Sequence, residues 1–180
     1  MDDDLATIQQ VLGGDVNRFR ELVERHQGIV FGLVANLIAD RHERDDIAQE
    51  TFWAAYLGLR SYDAQKAKFS TWLLTIARNR CINVLRRRQP TTLERLPAEA
   101  DHTDPAESLL REESAARFDR FLDALPRDQR SVFVLSEIQG VSYQEIAQIE
   151  DVPVGTVKSR ISRAKEKLRS LLSQTAEEIG

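Results

Sequence analysis

The chain has 180 residues, of which 42% are hydrophobic and 30% charged, a composition that suits one ordinary domain or two small ones. Its net charge of -4 at pH 7 excludes a uniformly basic nucleic-acid binder. The single cysteine, Cys81, excludes an internal disulfide. The N-terminus lacks the features of a secretory signal, and no apolar run approaches the length of a membrane span. We therefore expect a soluble, cytoplasmic protein without membrane insertion.

Helical periodicity runs through the chain without a convincing strand pattern, which predicts an all-α fold. In the N-terminal half we expect a short helix over Asp4–Leu12 and a longer one that is capped by Asp15 and runs to about Ala39. A third helix is predicted over Arg44–Gly58, and a fourth over Phe69–Arg88.

An acidic, polar stretch with three prolines, residues 89–116, predicts a flexible linker. The linker would join two small helical domains, at residues 1–88 and 117–180. The second domain begins with an apolar helical stripe of Phe118, Phe121, Leu122 and Leu125.

The strongest local pattern is a helix-turn-helix near the C-terminus. Ser142 and Glu145 form a capping box that opens a short helix, and a turn at Asp151 leads to a second helix from Pro153. The second helix buries one apolar stripe, so its hydroxyl and basic side chains point outward, as they do in a recognition helix that enters the major groove. An ordinary amphipathic hairpin with a solvated basic face would give the same pattern. The candidate DNA-binding residues are Thr156, Lys158, Ser159, Ser162, Arg163 and Lys165.

A second basic strip covers residues 64–93, which contain no acid. Successive residues of a helix are 100° apart around its axis. On the predicted fourth helix, Asn79, Asn83 and Arg86 therefore lie within about 40° of Trp72. Amides read base edges, and aromatic rings stack on unpaired bases. Trp72 and Phe69 suit the core better, so Tyr62 in the preceding loop is the better stacking candidate. The candidate residues are Tyr62, Lys66, Lys68, Asn79, Asn83 and Arg86.

The third predicted helix carries a polar face that suggests a protein-docking patch, although such a face alone is usually solvated surface. It consists of Asp45, Asp46, Gln49 and Glu50. Catalysis finds little support, because the histidines lack metal-ligand spacing, no glycine-rich phosphate loop occurs, and Cys81 has no evident activating partner. We expect no enzyme activity, metal or cofactor.

Four strings in this order resemble the extracytoplasmic-function (ECF) sigma factors of the sigma-70 family. They are Asp45–Phe52, Phe69–Asn79, Leu125-Pro126, and Gly140–Ala147 with Pro153–Arg160. The resemblance implies an alternative sigma factor that binds core RNA polymerase and directs promoter-specific transcription initiation. It also implies promoter DNA and a cognate anti-sigma factor as partners.

The resemblance assigns a role to each surface. The minus-ten element would be recognised and opened by residues 62–88, with Tyr62 as the wall of a pocket for a flipped base. The minus-thirty-five element would be read by residues 156–165. The clamp helices of the largest polymerase subunit would bind Asp45, Asp46, Gln49, Glu50 and Phe52. Two alternatives stay open: a helix-turn-helix regulator that binds duplex DNA unaided, and an adaptor or sequestering protein that does not bind DNA.

Overall fold

A computed structural model describes residues 3–87 and 118–179, with side chains as far as residue 174. Regular structure in these residues is helical throughout, which confirms the all-α prediction. Residues 89–116, the predicted linker, lie outside the described residues. No helix within the described ranges is both long and apolar enough to cross a bilayer.

The N-terminal unit, residues 3–87, is a helical bundle in which α2 packs against both α3 and α4. Leu22 and Leu33 of α2 and Leu73 of α4 have no exposed surface, so α2 lies at the centre of this unit. The helices of this unit are α1 Asp3–Leu12, α2 Phe19–Leu37, α3 Arg41–Gly58 and α4 Phe69–Arg87.

The start of α2 differs from the prediction, because Asp15 makes no side-chain cap. The chain enters α2 through a short 3-10 turn, Val16–Arg18, and the α-helix begins only at Phe19. The amide of Arg18 donates to the main-chain carbonyl of Asp15 at 3.1 Å. The turn therefore supplies an acceptor for an amide that a side-chain cap would otherwise have to satisfy.

The C-terminal unit, residues 118–179, carries the helix-turn-helix. Residues 118–123 are helical, and α5 packs along α7. Leu122 and Leu135 have no exposed surface, and they anchor the core of this unit. Its further elements are α5 Arg127–Phe133, a π-helical turn Val134–Ile138, α6 Tyr143–Glu150 and α7 Val154–Ile179.

The two units also pack against each other. Helix α4 contacts α6, and α2 contacts both α5 and the π-helical turn. The approach is closest at Gly32 of α2, where an added Cβ would lie 2.1 Å from the side-chain amide nitrogen of Gln139. A larger residue at position 32 therefore requires the Gln139 side chain to move.

Cys81 provides a test of this packing, since it lies in the core with no exposed surface. Burial raises the pKa of its thiol to about 12. Because the thiolate is the nucleophile, we expect the folded chain to resist alkylation by a maleimide at neutral pH. Mass spectrometry over a time course measures the labelling.

The matched control is Gln27→Cys, which adds a thiol at an exposed position of α2. That thiol should be labelled rapidly, and Cys81 should be labelled only after unfolding in urea. Fast labelling of native Cys81 would contradict the packing of α4.

Candidate nucleic-acid interface

The first helix of the helix-turn-helix, α6, begins at the predicted capping box. The Ser142 hydroxyl accepts a hydrogen bond from the Glu145 amide at 3.3 Å, and the Glu145 carboxylate accepts one from the Ser142 amide at 3.1 Å. Each side chain thus satisfies an amide that the helix leaves without an internal partner. The carboxylate lies also 3.0 Å from the ammonium of Lys68, on the N-terminal unit.

The turn between α6 and α7 is fixed by main-chain geometry. Asp151 has φ 53, in the left-handed region that aspartate tolerates better than most residues. This bend lets the amide of Val152 donate to the carbonyl of Ala147 at 3.1 Å, which closes the end of α6. Pro153 then accepts from the amide of Thr156 at 2.9 Å, and α7 begins. The predicted helix-turn-helix is therefore present.

Helix α7 buries one side and exposes the other. Val157 and Ala164 have no exposed surface, and Ile161 is only 3% exposed. Thr156 is half-buried at the start of the helix. The opposite side presents hydroxyl and cationic groups that can contact bases and phosphates. Its exposed candidates are Lys158, Ser159, Ser162 and Arg163.

Lys165, the last candidate on α7, has an intramolecular partner. Its ammonium lies 2.8 Å from the carboxylate of Glu137 on the π-helical turn. The hydrogen bond between them raises the pKa of Lys165 and lowers that of Glu137. Lys165 therefore reaches toward the body of its own unit, unlike the exposed side chain of Arg163.

The polar candidates on and before α4 are exposed, as the helical spacing indicates. Asn79 accepts a hydrogen bond from the guanidinium of Arg78 at 3.1 Å. Lys66, in the loop, lies 3.4 Å from Asp63. The exposed members of this set are Lys66, Lys68, Asn79, Asn83 and Arg86.

Tyr62 is half-buried, and its hydroxyl donates to the carbonyl of Ala67 at 3.0 Å, which closes the loop before α4. Its ring centroid lies 5.4 Å from that of Trp72 and 5.6 Å from that of Phe69. Phe69 is buried as expected, whereas Trp72 remains half-exposed. Tyr62 and Trp72 together give the loop a partly accessible aromatic surface.

The candidate docking face on α3 needs one correction. Phe52 is only 8% exposed and lies in the core, so it cannot present its ring to a partner. The exposed aromatic residue is Trp53, at 60%, which stacks on Tyr56. Helical spacing could have found it, because Trp53 follows Asp46 by two turns and shares its face. The predicted residues Asp45, Asp46, Gln49 and Glu50 are all exposed.

Comparison with known proteins identifies the family. Residues 22–91 match Sigma-70 region 2, and residues 115–168 match Sigma-70, region 4. The RNA polymerase sigma-H factor of Pseudomonas aeruginosa is 36% identical, over 95% of this chain and 94% of that protein. The chain belongs to the ECF sigma factors of the sigma-70 family. The ECF sigma factor SigW of Bacillus subtilis is 35% identical, over 92% of this chain and 94% of its own.

Solved structures of other proteins are similar to this sigma factor in fold as well as in sequence. CnrH, in complex with the cytosolic domain of CnrY, matches with a TM-score of 0.74 and 29% identity, covering 96% of this chain and 99% of CnrH. RpoE of Bartonella quintana, in complex with the anti-sigma factor NepR, matches with a TM-score of 0.67 and 25% identity, covering 86% of this chain and 96% of RpoE.

Membership decides between the functions that the sequence left open. The chain is a sigma factor that binds core RNA polymerase and directs promoter-specific initiation, rather than an autonomous regulator. Sigma factors are in general regulators and not catalysts.

The capping box yields a test of the helix-turn-helix. We expect Ser142→Ala to lower the free energy of unfolding by about 1 kcal/mol, because it leaves the amide of Glu145 without its acceptor. The Ser142 hydroxyl is the main cause of the lowered pKa of Glu145, with Lys68 also contributing. That lowered pKa stabilises the fold above the ordinary value of 4.5, and the contribution is lost as the pH falls through the folded-state value.

Urea unfolding of wild type and Ser142→Ala between pH 7 and pH 3 measures both effects, and the difference between them should shrink toward the acid end. Ser170→Ala, at an exposed position inside α7, is the matched control and should show no such loss. A variant as stable as wild type at pH 7 would contradict the capping role.

Proposed function

We propose that the two units of this sigma factor divide promoter recognition between them. Residues 1–88 dock on core polymerase and recognise and melt the minus-ten element, whereas residues 117–180 read the minus-thirty-five element. Residues 89–116 link the two. The observation that carries the proposal is the exposed hydroxyl and basic face of α7, which follows a capped helix and a tight turn. The separate matches to sigma-70 regions 2 and 4 support the same division.

For the minus-thirty-five element, the N-terminal half of α7 enters the major groove. Arg163 can donate two hydrogen bonds to a guanine, and Lys158 supplies charge for a phosphate. Ser159 and Ser162 add hydroxyl groups between them. Thr156 and Lys165, which are half-buried, lie at the two ends of the contact.

For the minus-ten element, the loop and the exposed face of α4 bind unpaired bases. Opening a base step costs a few kcal/mol, so the bases need a new surface to stack on. The accessible part of the Tyr62 and Trp72 rings supplies it. Asn79 and Asn83 offer amides to base edges, and the exposed cations contact the backbone. Lys66, Lys68 and Arg86 are those cations.

Core polymerase docks on the exposed face of α3 through the clamp helices of its largest subunit. The face combines carboxylates and an amide with the ring of Trp53, while Phe52 supports it from the core. A large aromatic residue amid polar groups is typical of the residues that dominate protein interfaces. The polar members are Asp45, Asp46, Gln49 and Glu50.

An anti-sigma factor is a further partner, since RpoE was solved with the anti-sigma factor NepR; CnrH was likewise solved with a second chain, the cytosolic domain of CnrY. A groove of about 510 Å³ on the C-terminal unit offers apolar surface to such a chain. Phe118 and Leu172, at its border, are 42% and 53% exposed. Because polymerase is cytoplasmic, the protein acts in the cytoplasm.

The docking proposal is tested on α3. We expect Asp46→Ala, Gln49→Ala and Trp53→Ala to weaken binding to core polymerase, with Trp53→Ala losing the most, at least about 30-fold or 2 kcal/mol. Fluorescence titration of labelled chain with core polymerase measures the affinity. Gln27→Ala, at an exposed position of α2, is the matched control. Unchanged affinity in all three variants would exclude this face.

The reading of the minus-thirty-five element is tested on α7. With core polymerase present, Arg163→Ala should reduce transcription from a cognate promoter by roughly 10- to 100-fold, because one lost base contact costs about 1–3 kcal/mol. Binding to core polymerase should not change. Transcription in vitro on a genomic fragment library supplies the promoters and the measurement.

Lys167→Ala removes a charge from the same helix and is the control, expected to change transcription little. Equal effects of the two substitutions would indicate general charge attraction and contradict the assignment.

A further inference from the structure

An ion pair joins the surface proposed for core polymerase to the surface proposed for the minus-ten element. The Nη1 atom of Arg80 on α4 donates a hydrogen bond to the carboxylate of Glu50 on α3. Both residues belong to the N-terminal unit, in which α3 and α4 pack against each other. Glu50 is thus a member of the docking face and also the counterion of an arginine on the DNA-contacting helix.

The Glu50 carboxylate is open to a partner that binds α3. Glu50 follows Asp46 by one helical turn and precedes Trp53 by three residues, so all three are neighbours on the helix surface. Its side chain is 63% exposed. A polymerase segment that packs on Trp53 therefore reaches this carboxylate and can offer it donors of its own.

Arg80 lies beside the amides proposed to read the minus-ten element. It follows Asn79 directly and precedes Asn83 by three residues, so the side chains of Arg80 and Asn83 are neighbours on α4. Residues 64–93 contain no acid, and the counterion of Arg80 comes from α3 instead. An arginine next to an amide that contacts base edges is well placed to bind the adjoining phosphate.

The pair is of a kind that can be exchanged. Arg78, two residues earlier on α4, donates at 2.7 Å to Glu150, whose side chain has no exposed surface. Breaking a pair with a buried carboxylate is strongly unfavourable. The side chains of Arg80 and Glu50 are 31% and 63% exposed, and pairs between solvent-accessible groups contribute little net stability. Arg80 can therefore leave Glu50 for a phosphate with little loss of stability.

We propose that Arg80 is a further promoter contact, on a backbone phosphate beside the minus-ten element, and that Glu50 is a shared ligand. Glu50 pairs with Arg80 in the free chain and with core polymerase in the holoenzyme. The inference rests on the proposed function, which assigns α3 to polymerase and α4 to DNA. Polymerase that engages Glu50 removes the counterion of Arg80, and the guanidinium then binds the phosphate next to Asn83.

The promoter contact is tested in the holoenzyme, formed from core polymerase and the full chain. The probe is promoter DNA with a duplex upstream part and a single-stranded minus-ten segment, and fluorescence anisotropy measures its affinity over a range of salt concentrations. We expect Arg80→Ala to weaken binding several-fold and to reduce the slope of log affinity against log salt by about 0.7 to 0.9, the value of one phosphate. Arg80→Lys should keep most of the slope, because an ammonium also neutralises a phosphate.

A phosphate contact carries no sequence information, so the loss in Arg80→Ala should be the same on a probe with an altered minus-ten sequence. Arg25→Ala is the matched control. Arg25 is 33% exposed and pairs with Asp4 of α1 at 2.5 Å, and it lies on α2, which carries none of the candidate residues. Its substitution removes the same charge and should leave the slope unchanged. Circular dichroism verifies that each variant is folded.

The shared ligand is tested by fluorescence titration of the labelled chain with core polymerase, without DNA. Arg80→Ala frees the Glu50 carboxylate, so we expect it to tighten binding by about two- to fivefold. In a Glu50→Gln background the same substitution should have no effect. In a Glu24→Gln background, which removes an exposed carboxylate paired with Arg20 on α2, the gain should persist.

The outcomes separate the steps of the inference. A wild-type salt slope in Arg80→Ala, or a loss that varies with the minus-ten sequence, would exclude the phosphate contact. Core affinity that Arg80→Ala leaves unchanged or lowers would exclude the shared ligand. A wild-type chain that binds no core polymerase, or a holoenzyme that binds the probe no better than DNA without a promoter, would overturn the proposed function itself.

Discussion

The buried carboxylate of Glu150 is the interaction on which the arrangement of this molecule depends. A carboxylate without exposed surface is tolerated only when charged and polar donors surround it. Here the donors come from α4 and α5, with an arginine of α7 nearby. One side chain at the end of α6 therefore contacts residues of three other helices, from both units.

The helix-turn-helix shows what can be predicted from sequence. The capping box, the turn and the buried stripe each depend on residues at most a few turns apart, so helical spacing and capping chemistry place them correctly. The same holds for the exposed face of α3, although the aromatic residue predicted for docking was wrong. Adjacent residues of a helix point 100° apart, so Phe52 faces the core while Trp53 faces the surface. Asp15 was misplaced because a 3-10 turn precedes α2.

The contact between the units could not be predicted. Arg78 and Glu150 are 72 residues apart, and nothing in either local pattern distinguishes them from ordinary surface charges. The roles of Gly32 and Gln139 depend in the same way on how two helices meet. Such features follow from tertiary packing, so helices that are each predicted correctly from the sequence do not show how the two units contact each other.

The ion pair between Lys68 and Glu145 determines which part of the contact between the two units weakens first. Lys68 precedes Arg78 by ten residues, so the two pairs lie about 15 Å apart along α4. The Lys68 side chain is 71% exposed, whereas Glu150 is fully enclosed. Dissolved salt screens the exposed pair far more than the enclosed one. Rising ionic strength should therefore weaken the Lys68–Glu145 contact, next to the Tyr62 loop, before it weakens the Arg78–Glu150 contact.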